Sequence, residues 1–247
     1  MTEDFRPTAQ SRRTFLKRLG LAIPAMALGG GGTYAYSSLL ERHRITVDRH
    51  DVALSLGAKA PAKFRAISLT DFHFDPLFEE DYLAEVVRRT NELKPDLILL
   101  TGDYISSSSR RFEDFGKVIG GLQAKAGVLA CLGNHDHWHQ PGRIQTVLAR
   151  QGIDVLVNRH TRVPCAGGEV IVTGLQSAWG GFPDWNTAAQ GLKANERTLA
   201  LVHEPDFASM LAWDERAAFQ VSGHTHGGQV RLPLIGALRL PSWGVNF

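Results

Sequence analysis

The sequence predicts an α/β fold of layered sheets, on three observations. Between residues 64 and 150, short apolar runs alternate with amphipathic stretches, the order expected of βαβ units. Each apolar run there ends in a cluster of Asp, Asn or His, and open α/β sheets gather their ligands outside the carboxyl ends of their strands. After residue 150 the runs shorten around a Gly167-Gly168 turn, which predicts an antiparallel portion.

Taken in order, Ile45 to Leu56 alternates apolar and polar residues and reads as a strand. Phe64 to Leu69 is a second strand, running into Asp71-Phe72-His73-Phe74-Asp75. Asp81 to Glu92 has helical periodicity, with Leu83, Val86 and Val87 on one face, and Pro95 ends that region. Asp96 to Leu100 is a short strand that opens into Thr101-Gly102-Asp103-Tyr104. Ser106 to Ser109 is a polar loop and Phe112 to Leu122 a helix. Val128 to Leu132 is the next strand, leading to the turn Gly133-Asn134-His135-Asp136, and Arg143 to Arg150 is helical. Asp154 to Val157, Thr161 to Pro164 and Glu169 to Thr173 are strand-like, and Trp179 to Trp185 is an aromatic loop. Thr198 to Val202 is a strand ending in His203-Glu204-Pro205-Asp206, and Phe207 to Trp213 is a short helix. The apolar run Phe219 to Ser222 leads into Gly223-His224-Thr225-His226-Gly227-Gly228-Gln229, where glycines let the backbone aim two imidazoles at one place.

The 247 residues, 43% hydrophobic and 21% charged, suit one sizeable domain. Residues 1–36 read as a separate segment. Ser11-Arg12-Arg13-Thr14-Phe15-Leu16-Lys17 is a twin-arginine pattern, followed by the apolar stretch Leu19 to Leu28 and four glycines. Pro24 and the glycines make it a poor permanent membrane span, so a twin-arginine signal or anchor at 1–36 and a folded domain at 37–247 are expected. That leader would engage the twin-arginine export machinery. It would place the protein in the periplasm or on the outer face of the cytoplasmic membrane, with membrane association open. The net charge is +2, but residues 1–36 hold five basic and two acidic side chains, and the remainder nets −1. The basicity therefore belongs to the leader, and sequence-specific nucleic-acid binding is not expected. Cys131 and Cys165 are too few for a disulfide scaffold, and Cys131 reads as a buried small hydrophobe.

Seven residues form the candidate ligand set: Asp71, His73, Asp103, Asn134, His203, His224 and His226. Taken singly, Asp71, Asp103 and Asn134 fit turn or helix-cap roles equally well, and His203 fits a loop histidine. Together they offer carboxylate, imidazole and amide ligands, which suit Mn, Fe or Zn; the lack of cysteine argues against a structural thiolate zinc site. Seven is too many for one tetrahedral ion, whereas two ions sharing a carboxylate would use them all. His137 and His139 read as loop residues near the mouth, and His43, His50 and His160 as surface residues.

Asp71-x-His73, Gly102-Asp103, Gly133-Asn134-His135-Asp136, His203 and Gly223-His224-x-His226 resemble, in order, the five motifs of the calcineurin-like metallophosphoesterase superfamily. With Gly227-Gly228-Gln229 and the leader, the chain is most similar to the family's exported bacterial phosphodiesterase branch. The resemblance implies a four-layer α-β-β-α sandwich with two central mixed sheets. It implies two divalent transition-metal ions, one held by Asp71, His73 and His226 and the other by Asn134, His203 and His224. Asp103 would bridge them with both carboxylate oxygens free. His135 would stabilise phosphoryl oxygens or protonate the leaving alkoxide, and Asp136 would orient His135. The implied reaction is hydrolysis of a phosphodiester or pyrophosphate by a metal-bridging hydroxide. A phosphomonoesterase or phosphoprotein phosphatase, and a truncated non-catalytic metal-binding protein, are the alternatives. Only 21 residues follow His226, so the second sheet is expected to be incomplete, with an open apolar edge. Trp179, Phe182 and Trp185 are candidates for an apolar wall that would accept a lipid or nucleotide group on the phosphate-ester substrate.

Overall fold

The computed structural model describes residues 30–57, 59–74, 80–106, 111–229, 231–232 and 234–246. The chain falls into two units, Met1–His50 and Asp51–Phe247. In the first, residues 30–39 are helical and a 3-10 turn follows at Glu41–His43. The twin-arginine pattern at 11–17 and the apolar stretch to Leu28 lie outside the described residues. No helix among the described residues is long and apolar enough to cross a membrane.

The second unit carries two four-stranded sheets. The first has the order β1 (Ala66–Leu69), β2 (Leu97–Leu100), β3 (Val128–Ala130) and β4 (Asp154–Val155), and every pairing in it is parallel. The expectation of two mixed sheets thus holds only for the second, because every connection in the first half crosses over through a helix, which returns the chain in the same direction. The second sheet has the order β5 (Arg159–Cys165), β6 (Gly168–Gly174), β7 (Thr198–Leu201) and β8 (Ala217–Val221). There β5 and β6 form an antiparallel hairpin, turning at Ala166-Gly167, and β7 and β8 add in parallel. Among the described residues β8 ends this sheet, while the short strands β9 (Arg231–Leu232) and β10 (Gly236–Ala237) pair only with each other.

Alternation along the buried strands builds the layers. In β2, Ile98 and Leu100 face one core while Leu97 and Leu99 face another. The first core lies under α1 (Glu80–Glu92), α2 (Phe112–Ile119) and α4 (Pro141–Arg150), which contribute Leu83, Phe115 and Leu148. The second core lies between the sheets, where Leu97, Leu99, Leu129 and Cys131 meet Val170, Val172, Leu199 and Leu201. On the outer face of the second sheet, Ala200 and Val202 pack with Ala188, Phe207 and Leu211, from α5 (Trp185–Ala188) and α6 (Ala208–Leu211) and the turn before it. Helices, parallel sheet, mixed sheet and short helices make the four layers.

Two segments differ from the sequence reading. Residues 45–57 form no strand. Within 51–57, Leu56 is buried and Leu54 half-buried against the inter-sheet core, so alternate side chains grip the surface without a backbone ladder. The stretch read as a turn with loop histidines is a helix, α3 (Asn134–His139). Both cysteines are free thiols, and Cys131 is buried.

Candidate metal centre

Parallel pairing in register sets strand ends side by side. Leu69 of β1 pairs with Leu100 of β2, and Leu100 with Ala130 of β3. The residues two to four positions further on therefore converge: Asp71, His73, Asp103 and Asn134. The loops continue the pairing, since Asp71 N–H donates to Gly102 O and His73 N–H to Asp103 O, each at 3.0 Å. In the second sheet Leu201 pairs with Val221, which places His203 beside Gly223-His224. Two bonds tie the sheets together at this end. His203 Nδ1 donates to Thr101 O at 2.7 Å, and His224 N–H donates to Asp71 Oδ2 at 2.8 Å.

Five of the seven candidate ligands hold positive φ: Asp71 (53°), His73 (43°), Asp103 (55°), His224 (72°) and His226 (50°). A left-handed conformation costs a non-glycine residue roughly 1–3 kcal/mol and clusters at functional sites. Two glycines make the closest approaches possible. A Cβ on Gly133 would lie 2.1 Å from Asp103 Oδ1, and one on Gly223 would lie 1.9 Å from Thr70 Oγ1 and 2.4 Å from Asp71 Oδ2.

The side chains form three overlapping groups: Asp71, His73 and His226; His73, Asp103 and His135; and Asp103, His203 and His224. His73 Nε2 lies 3.0 Å from His226 Nε2 and 3.5 Å from Asp103 Oδ2. His203 Nε2 lies 3.1 Å from the same Asp103 Oδ2, and His226 Nε2 lies 3.3 Å from Asp71 Oδ1. Both carboxylates are oriented by bonds to one oxygen. Asp71 Oδ2 accepts from His224 N–H and Thr70 Oγ1, and Asp103 Oδ1 accepts from His135 N–H at 2.9 Å. Asp103 therefore presents one free oxygen, not two, and that oxygen faces an imidazole from each of the two outer groups.

Three side-chain atoms of the candidate ligands are buried with no hydrogen bond among the described residues: Asp71 Oδ1, Asn134 Oδ1 and His203 Nε2. A buried polar atom without a partner is costly, and here His203 Nε2 and Asp71 Oδ1 lie 3.8 Å apart in a set of oxygen and imidazole donors. The donor set and its orphaned atoms fit divalent transition-metal ions. The charges pull against one another in the bare site. Burial pushes His73 down to about 4 despite the nearby Asp103. Burial also opposes protonation of His203, yet Asp103 and Asp71 lift it to about 9. Burial would raise the Asp71 carboxyl, but His226, His203 and Thr70 hold it well below the usual carboxylate range.

The proton positions of two histidines follow from their outer bonds. His203 Nδ1–H donates to Thr101 O, which turns Nε2 inward toward Asp103. His224 Nε2 donates to Ser242 O at 2.7 Å, which leaves Nδ1 as its free nitrogen. Residues 242–246 are held there by Asp206: Asp206 N–H donates to Trp243 O, and its carboxylate accepts from Val245 N–H, Asn246 N–H and Asn246 Nδ2.

Asp136 does not orient His135. Its carboxylate accepts from the backbone N–H groups of Gly133 (2.9 Å), Asp103 (2.8 Å) and Tyr104 (3.0 Å). It stands third in α3, where it reaches back to the amide of Gly133, which caps the helix, and across to the Asp103 loop. His135 sits over His73, with ring centroids 4.8 Å apart, and its Nδ1 is buried with no hydrogen bond. Burial lowers the His135 pKa. His137 and His139 ride on α3 rather than on a loop; His139 is exposed.

The aromatic wall is also rearranged. Trp185 packs in the outer core and donates Nε1–H to Asp214 Oδ2, away from the strand-end cluster. Trp138, which the sequence reading passed over, takes its place. It lies edge-to-face against Trp179, with Trp138 beside His135 and Trp179 beside His224. Glu204 was missed as well. It is fully buried directly after His203, and it accepts from Ser177 Oγ, Ala178 N–H and Trp179 N–H. Two acidic residues immediately beyond a strand-end histidine were the available signal.

Comparison with known proteins bears on the family. A family model described as calcineurin-like phosphoesterase matches residues 64–228. The uncharacterized metallophosphoesterase YkuE of Bacillus subtilis (strain 168) is 34% identical over 238 residues, covering 95% of this chain and 83% of its own. Phosphodiesterase YaeI of Escherichia coli (strain K12) is 32% identical over 230 residues, covering 92% of this chain and 81% of its own. Among solved structures, the Haemophilus influenzae NAD nucleotidase aligns at 16% identity with a TM-score of 0.49. It covers 70% of this chain and 46% of its own, so this chain spans less than half of that molecule.

Proposed function

Because the chain belongs to the calcineurin-like phosphoesterase family, and so is a metal-dependent phosphoester hydrolase, we propose that it is a two-ion phosphodiesterase. The observation that carries this reading is Asp103 Oδ2, which faces His73 on one side and His203 on the other. Asp71, His73 and His226 would hold one ion; Asn134, His203 and His224 would hold the second; Asp103 would serve both. Bound divalent ions supply positive charge that polarises phosphoryl oxygens and lowers the pKa of water toward neutrality. Manganese, iron and zinc all suit these donors.

The chain's own residues do the rest. His203 and His224 are oriented by the carbonyls of Thr101 and Ser242, so the other nitrogen of each ring is aimed away from that bond. The lowered pKa of His135 keeps its ring neutral near pH 7. An imidazole N–H of His135 can then donate a hydrogen bond to a phosphoryl oxygen. The name of the Escherichia coli relative supports a diester substrate. The twin-arginine pattern at residues 11–17 supports export; replacing Arg12 and Arg13 by lysine should leave the protein inside the cell.

The test is hydrolysis of methyl p-nitrophenyl phosphate by the purified chain with Mn²⁺, with chelator, and with Asp103→Asn alongside. Metal-dependent turnover that the variant loses is the expected result. A folded, metal-loaded protein without turnover, or a fully active Asp103→Asn, would count against the reading.

A further inference from the structure

Trp138 and Trp179 are large apolar side chains left 45% and 43% exposed beside the candidate metal centre. Their rings lie 4.9 Å apart at 79°. Trp138 is 5.2 Å from the His135 ring and Trp179 is 5.6 Å from the His224 ring. Four rings thus run in sequence, His135, Trp138, Trp179 and His224, and both ends belong to the strand-end cluster. From this arrangement, and resting on the phosphoester hydrolysis proposed above, we infer that Trp138 and Trp179 form the subsite for a planar aromatic group esterified to the substrate's phosphate.

Both indoles are fixed in advance. Trp138 stands three residues after His135 on α3, so the two share a helix face. Trp179 is held through its backbone. Buried Glu204 takes the N–H groups of Ala178 at 2.7 Å and Trp179 at 3.3 Å, and Ser177 Oγ accepts from Gly180 N–H at 2.8 Å. Gly180 then seats on α3: a Cβ there would lie 2.9 Å from Asn134 Cα. The same carboxylate-anchored loop thus touches a candidate ligand and presents the indole. Rigid aromatic side chains bind at a low cost in conformational entropy. The near-right angle between the rings forms an L-shaped corner, in which a flat ring can lie on one indole and meet the other edge-on. A bulky saturated group of equal size cannot make both contacts.

The experiment is a calorimetric titration of the metal-loaded chain with phenyl-, cyclohexyl- and methylphosphonate, whose C–P bonds resist hydrolysis. Trp138→Ala, Trp179→Ala and the double variant are compared with Trp213→Ala, whose indole is exposed elsewhere. The chain should favour phenyl over methyl by about tenfold, the scale of one aromatic stacking contact. Trp213→Ala should keep that ratio, and the double variant should bring it close to one. A cyclohexyl compound that binds as tightly as phenyl, a ratio near one in the unsubstituted chain, or a preference that survives in the double variant would each overturn the inference. Turnover of methyl p-nitrophenyl phosphate, run in parallel, separates the two readings. Turnover without a phenyl preference removes the subsite alone, whereas a phenyl preference without turnover removes the diesterase reading and leaves the aromatic subsite standing.

Discussion

Replacing Asp136 separates two roles for this buried carboxylate. Its two oxygens satisfy three backbone donors, those of Gly133, Asp103 and Tyr104. A buried donor left without an acceptor costs roughly 1–3 kcal/mol, so Asp136→Ala carries a gross cost on the order of 3–9 kcal/mol. Part of that is offset, because burial and the nearby Asp103 lift the Asp136 pKa to about 7 and make its charged form costly. A net loss of a few kcal/mol is expected, within the stability of about 5–15 kcal/mol that a domain has to lose. Asp136→Asn should be milder. Its oxygen can replace Oδ2, which serves Asp103 and Gly133, while its amide then opposes the Tyr104 N–H, a loss of about 1–3 kcal/mol. Urea unfolding of chelator-treated protein measures this order. Because the same bonds hold Asp103 in its left-handed conformation, both variants should also lose metal affinity by about 10–100-fold. Unchanged stability in Asp136→Ala would refute the reasoning. A shifted pH–rate profile at unchanged metal affinity would instead restore Asp136 as the partner of His135.

Two further predictions follow from the structure. Asp206→Ala frees residues 242–246, whose Ser242 carbonyl fixes the His224 ring, so metal affinity should fall by about 10–100-fold with the fold retained. Competition with a chelating dye checks it, and an unchanged affinity would contradict it. Asp214 is held below its usual range by Arg216 and by Trp185. A depressed carboxyl stabilises the fold above its unfolded pKa near 3.8, and that stability is lost as pH falls through the lower folded value. Asp214→Asn should therefore cost about 1 kcal/mol at pH 7, and the gap to the unsubstituted chain should close at pH values below about 4. Thermal unfolding across pH shows whether it does.

The clustering of the candidate ligands was legible because chemistry and topology coincide in it. Parallel strands end together, and Asp, Asn and His at those ends have few other reasons to recur in order. What escaped reading acts through the backbone or across long distances in sequence. Asp136 serves three amides, one of them 33 residues away in Asp103, and no side-chain pattern announces such a target. Ser242 contributes only a carbonyl, which any residue carries. Trp138 went unseen because Gly133 to Asp136 reads as a turn; only on a helix does the spacing from His135 put the two on one face. The strand expected at Ile45 to Leu56 failed for the opposite reason. Alternation records which side chains meet a surface, and Leu54 and Leu56 meet one without any neighbouring strand. The single free oxygen of Asp103 was likewise out of reach, since the His135 amide that occupies the other is a feature of the α3 start.

The most direct measurement is the number of ions bound per chain, by elemental analysis of the purified, metal-loaded protein beside Asp103→Asn. With Asp103 Oδ2 shared between the His73 and His203 sides, two ions per chain are expected, with loss of at least one in the variant together with the hydrolytic activity. One ion per chain at full activity, or two ions retained in an active Asp103→Asn, would contradict a shared carboxylate at the centre of the site.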